Sequence, residues 1–162
     1  MALCEELVTR GHEVTLLAAP GSRSAASVRS PLESEHADRI GWALYEANHV
    51  GCAYDAVEAA ASTGRSFDVV HDHSGFTAVA MAPRSPVPVV HTLHAPFDEE
   101  TAPFYARHGR KVRLVAISRF QLEHAPPGVH VSDVVPNPIR VQDWPFCEGK
   151  MSTCRGWGAL TR

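Results

Sequence analysis

Phe67-Asp-Val-Val-His-Asp-His-Ser-Gly75 and its echo Val87-Pro-Val-Val-His-Thr-Leu-His-Ala-Pro96 decide how this chain folds. Val69 and Val70, and then Val87, Val89 and Val90, form brief apolar runs bounded by Gly, Pro and Asp. That is the pattern of short strands buried on both faces of a parallel sheet. Both runs end in histidine. In open α/β sheets ligands bind beyond the carboxyl ends of the strands, so His71, His73, His91 and His94 stand where chemistry is usually done. Side chains alternate along a strand, which places His71 and His73 on one face and Asp72 on the other, with His94 just past its strand in the loop. Four of the ten histidines fall in this stretch, a density that fits a site. Equally, each ring taken alone could do no more than hydrogen-bond nearby loop backbone.

Working outward, strands alternate with helices on both sides. Apolar residues at 3, 4, 7 and 8 make one helical face, and Gly11 supplies a left-handed stop. Glu13-Val-Thr-Leu-Leu-Ala18 follows as a strand. This order reads as the second half of a βαβ unit whose first strand lies outside the chain. Residues 22–41 read as polar loop holding at most one short strand, and a helix falls within 44–63, ended by Gly64. Downstream come a helix around 76–82, one opened by Asp98-Glu-Glu-Thr101, the strand Arg113-Leu-Val-Ala-Ile-Ser118, a helix from Arg119 stopped by Pro126-Pro127, and the strand His130-Val-Ser-Asp-Val-Val135. The alternation predicts an α/β fold with a doubly wound, mostly parallel, Rossmann-like sheet and right-handed crossovers. Without its first strand such a sheet has open edges in its middle, and poor solubility or dimerisation is expected.

At 162 residues the chain holds one domain with a core, or one domain and a tail. A net charge of −3 gives no general attraction to nucleic acid. The basic stretch Arg107-His-Gly-Arg-Lys-Val-Arg113 falls where a helix ends, where cations suit its dipole. Cys4, Cys52, Cys147 and Cys154 show no metal-ligand spacing and read as reduced thiols. No stretch approaches the ~18 apolar residues of a membrane span, and no signal peptide is evident, so a cytoplasmic location is expected. His71-x-His73 and His91-x-x-His94 have ligand-like spacing for a metal-dependent hydrolase, but a metal needs a further ligand in reach and Asp72 points the other way.

With these pieces in place, the chain resembles the N-terminal domain of the family 4 retaining glycosyltransferases, which have the two-domain GT-B architecture. Five stretches carry the resemblance, in order. Ala2-Leu-Cys-Glu-Glu-Leu-Val-Thr-Arg-Gly-His-Glu-Val-Thr-Leu16 is similar to "L-a-x-x-L-x-x-R-G-H-x-V-t-l". Phe67-Asp-Val-Val-His-Asp-His73 resembles "D-v-v-H-x-H", and Pro88-Val-Val-His-Thr-Leu-His94 resembles "P-v-v-x-T-x-H". Val115-Ala-Ile-Ser118 matches "v-a-x-S", and Val134-Val-Pro-Asn-Pro-Ile139 follows "v-i-P-N-G-v-d" with Pro138 in place of Gly.

The resemblance implies transfer of a sugar from a nucleotide-sugar to an acceptor hydroxyl with retention, without a bound metal or other cofactor. The nucleotide-sugar is a co-substrate held mainly by a C-terminal domain that lies outside the chain. This domain, residues 1–146, is then the acceptor-binding half, truncated at both ends. The resemblance implies His94 as the catalytic histidine at the cleft, His71, His73 and His91 as substrate-binding neighbours, Asn137 on the interdomain side, and Ser118 and Arg119 at a helix start that favours anions, although Arg119 could equally do no more than pair with a nearby carboxylate. It also leaves room for peripheral membrane contact by the full-length enzyme. Residues 147–162 fit no element pattern. With one choice of codons, a one-base shift after about Lys150 turns them into a sequence resembling the strand that opens the family's second domain, so a frameshifted tail is expected. The alternative reading is a remnant or binding module without transfer activity.

Overall fold

The computed structural model describes residues 2–34, 37–39 and 42–139, so the expectation for the tail at 147–162 lies outside the described residues. Among the described residues six strands and five α-helices follow one another, alternating from α2 onward: α1 (Ala2–Thr9), β1 (Thr15–Leu17), β2 (Ser27–Arg29), α2 (Ala43–Ser62), β3 (Val70–Asp72), α3 (Phe76–Met81), β4 (Val89–Leu93), α4 (Thr101–His108), β5 (Arg113–Ala116), α5 (Arg119–Glu123) and β6 (Val131–Val134). Every strand pair is parallel, as the alternation predicts, in a two-stranded sheet β1-β2 and a four-stranded sheet β3-β4-β5-β6.

Local chemistry sets the boundaries. Gly11 ends α1 at φ +87°, with its N–H and that of His12 turned back onto the carbonyls of Val8 and Leu7. Glu5 ties α1 to the β1–β2 connection by accepting from Ser24 Oγ (2.7 Å) and Ala25 N (2.9 Å). In α2 the buried Val50, Tyr54 and Val57 recur at helical spacing, and the Tyr54 hydroxyl donates to the Ala78 carbonyl of α3. Glu46, also on α2, accepts from Thr77 N at the start of α3, and its carboxylate lies only 2.5 Å from where a Cβ on residue 75 would stand. Gly75 is what lets the two helices meet there.

The core lies on one face of the larger sheet. Val70, Val89, Leu93, Leu114 and Val131 point from alternate strand positions into a cluster closed by Val79 and Ala82 and by Phe104 and Tyr105 of α4. Right-handed parallel crossovers, moving one strand at a time, carry α3, α4 and α5 over this same face. The opposite face is less covered than the valine runs suggest. Val90 and Val115 are only half-buried there, and His71 is exposed.

Among the described residues β1 pairs only with β2, and β3 only with β4, so each has one open edge. Open edges recruit other strands. Val69, half exposed just before β3, lies beside one of them. We expect the chain to self-associate, and Val69→Lys to shift it toward monomer in light scattering across a concentration series. A wild-type chain that is monodisperse and monomeric contradicts this.

Candidate functional site

The carboxyl ends of β3 and β4 separate the motif residues onto two faces. On one face, His71 Nε2 lies 2.8 Å from Thr92 Oγ1, and the His71 and His73 rings are tilted together with centroids 4.3 Å apart. His73 Nδ1 then meets His94 Nε2 at 2.9 Å. One proton lies between those two nitrogens, so one ring donates and the other accepts. His94 lies one residue past Leu93, the end of β4, in the loop. A cavity of about 250 Å³ opens beside the pair, lined by His73, His94, Asn137, Pro138 and the first-turn residues Ala2 and Leu3 of α1.

His91 is not with them. Its partner in the β3–β4 ladder is Asp72, and both side chains turn to the helix-packed face. His91 is 1% exposed, and its Nδ1 hydrogen-bonds Asp72 Oδ2. Its Nε2 lies 3.4 Å from the Tyr105 hydroxyl. The alternation that joins His71 to His73 also separates His91 from Thr92, and therefore from His71. This fully enclosed ring lines no part of the cavity, so the structure does not bring it together with His71, His73 and His94.

Ser118 and Arg119 are also elsewhere. The Ser118 hydroxyl caps α5 by accepting from Gln121 N (3.1 Å), and the helix it opens is only five residues long. Arg119 lines a different, open cavity of about 590 Å³ beside Glu123 and Asp133. Of the residues expected from sequence, the structure brings together His71, His73, His94 and Asn137. On that face it adds Thr92 and the start of α1, while Asp72 and Tyr105 join His91 on the other face.

Electrostatics follow from this placement. Burial alone would raise the Asp72 carboxyl, but the hydrogen bond and charge of His91, with two bonds from Ser74, outweigh it and hold Asp72 below the usual carboxylate range. Burial, and then the Asp72 charge, push the Tyr105 phenol up to about 12, so it keeps its proton. When the His91 ring is neutral, an Nδ1–H that donates to Asp72 and an Nε2 that accepts from Tyr105 give both of its nitrogens a partner.

Desolvation on its packed side, followed by the like charges of His71 and His94, brings His73 down to about 4, although one edge of the ring meets solvent. His71 and His49 are lowered too, first by desolvation. Unfolded, all three titrate near 6.5. Over that interval the unfolded chain binds more protons, so stability is full above about pH 6.5 and is lost as pH falls toward about 4. Asp72 does not contribute there, because its share is lost only below its unfolded value of 3.8. We expect the melting temperature to drop between about pH 7 and pH 4.5, and His73→Asn to flatten that drop by removing the most shifted ring. Parallel profiles for the two proteins would contradict the assignment.

Among the described residues, no three histidine, cysteine, aspartate or glutamate side chains converge as metal ligands. Nor is any described helix long and apolar enough to cross a membrane. The profile of the family described as Glycosyltransferase Family 4 matches residues 1–143. The chain belongs to glycosyltransferase family 4. The match spans the whole described fold, including both histidine strands and Asn137. No curated protein gives a significant match to the chain.

Proposed function

We propose that this family 4 chain is the acceptor-side half of a cytoplasmic enzyme that moves a sugar from a nucleotide-sugar to an acceptor hydroxyl, with retention of configuration. The observation that carries the reading is the convergence of His73, His94 and Asn137 on one cavity at the carboxyl ends of β3 and β4, where open α/β sheets bind ligands. With His94 Nε2 turned to His73, Nδ1 is the nitrogen left to bond a sugar hydroxyl or the departing phosphate. The Asn137 amide both donates and accepts, as hydroxyl recognition requires. The first turn of α1 borders the same space, and its N–H groups and dipole favour an anion there. A nucleotide-sugar is the co-substrate, held mainly by a second domain, and the reaction needs no metal.

Saturation-transfer NMR on the chain, with a panel of glycosides and polyols on one side and nucleotide-sugars on the other, tests the reading. Weak binding of hydroxyl-rich acceptors that perturbs the His73 and His94 ring signals is expected. Tight nucleotide-sugar binding with no acceptor response would assign the chain to the donor side instead.

A further inference from the structure

β3 is three residues long and among the described residues pairs with one strand, through Val70–Val89, His71–Val90 and Asp72–His91. So short a ladder says little about its own register. A parallel ladder repeats every two residues, and valine follows valine on both strands, so neither main-chain bonds nor apolar pattern separates one register from the next. What differs between registers is the fate of the side-chain links, the His71–Thr92 hydrogen bond on the cleft face and Asp72 on the packed face. In the observed register Oδ2 accepts from His91 Nδ1 and Oδ1 accepts from Ser74 N and Oγ. A two-residue slip along β4 keeps every side chain on its face but sets Asp72 against Val89 or Leu93. The carboxylate is then buried without His91, and the enclosed imidazole loses its acceptor.

On the opposite face, His73 and His94 are the first residues past the ends of their strands. No main-chain ladder holds them together. The last ladder pair before them is Asp72–His91, and on their own face His71 meets Thr92.

We propose that Asp72 and His91 are positioning residues, a carboxylate–imidazole clamp on the helix-packed face that fixes where His73 and His94 meet on the cleft face. Tyr105 closes the clamp from α4. Neither clamp residue touches the cavity, and both act through the register of β3 on β4. The proposal gives the cleft histidines their functional meaning only if the transfer reading holds, but its test does not depend on transfer.

The test uses the whole 162-residue chain, labelled with nitrogen-15 at histidine and followed by long-range proton–nitrogen correlation through a pH titration. The main variant is the double substitution Asp72→Val with His91→Val, which replaces the clamp by apolar packing. Asp72→Asn is the companion. With Oδ1 still accepting from Ser74, the amide presents N–H to His91 and drives it to the Nε2–H tautomer. In the double variant we expect a cooperative melt, movement of the His94 Nε2 signal to its unbonded position, and a rise of the His73 titration toward 6.5, its ordinary value.

The direction of that rise is diagnostic. The Asp72 charge raises His73 by more than the His91 charge lowers it, so deleting both charges with the register unchanged would lower His73 further. A double variant that folds with the His73 and His94 signals unmoved shows that packing alone sets the register, and overturns the proposal. A double variant that fails to fold while the wild type folds assigns the pair to stability alone, and overturns it too. If His73 moves as expected while neither protein supports acceptor binding, the clamp stands and the transfer reading falls.

Discussion

Leu114→Ala should destabilise the chain by about 2–5 kcal/mol and lower its melting temperature by on the order of 10 °C for a domain of this size. Leu114 is fully enclosed at the centre of β5, between His91 and Val131 on the neighbouring strands. Its side chain fills the space between the sheet and α3 and α4, among Val79, Leu93 and Val112. The fit is close enough that a Cβ on Gly109 would come within 2.8 Å of Leu114 Cδ1. Alanine leaves a hole that these neighbours cannot all collapse into, because Leu93 is anchored in β4 and Val79 in α3, so the lost transfer energy and the cavity cost add. Total stabilities of small domains are about 5–15 kcal/mol, so one such substitution removes a large fraction. Leu44→Ala is the control. That side chain is 76% exposed, and its loss should stay within about 0.5 kcal/mol. Chemical denaturation of both variants by circular dichroism checks the pair. Equal midpoints would mean that the core does not run through β5.

The strands and helices were legible in the sequence because each announces itself locally. Valine runs mark β3 and β4, Gly11 and Gly64 end α1 and α2, and the order of elements implies the parallel sheet. The opening of α4 was legible too, since Asp98 Oδ1 accepts the N–H groups of Glu100 and Thr101 at the helix start. One element depended on contacts that local pattern does not carry: β2 is three residues with one half-buried valine, and it exists because Thr15–Leu17 pairs beside it. The site divides in the same way. His71 and His73 share a face by the period of a strand, and that could be read off directly. That Asp72 faces His91 depends on the register between two strands nineteen residues apart. Register is a property of the assembled sheet, and Ser74, Tyr105 and the helix-packed face take part in fixing it. The parity of residues 91 and 92 was nevertheless in the sequence, and applied as it was at 71 and 73 it would have separated His91 from the cleft.

Replacing His94 should separate its two ring nitrogens by function. On the reading of this chain as the acceptor-side half, His94→Ala lowers transfer by about 10²–10³-fold in the two-domain protein, the usual cost of deleting one hydrogen-bond donor aimed at developing charge. Two amide variants then divide the loss. A glutamine amide nitrogen falls near the place of Nε2, the atom that meets His73, whereas an asparagine nitrogen falls near Nδ1, the atom left for the ligand. His94→Gln keeps the contact with His73 and loses the contact with substrate, and should be nearly as slow as alanine. His94→Asn gives up the His73 contact but keeps a donor toward the cavity, and should recover part of the rate. Steady-state transfer assays with acceptor varied at saturating nucleotide-sugar distinguish the cases, since a group used only in the transition state depresses kcat and kcat/KM together. Glutamine outperforming asparagine would place the working nitrogen at Nε2 and make the His73–His94 pair itself the catalytic unit. Equal activity of all four proteins would remove His94 from the reaction.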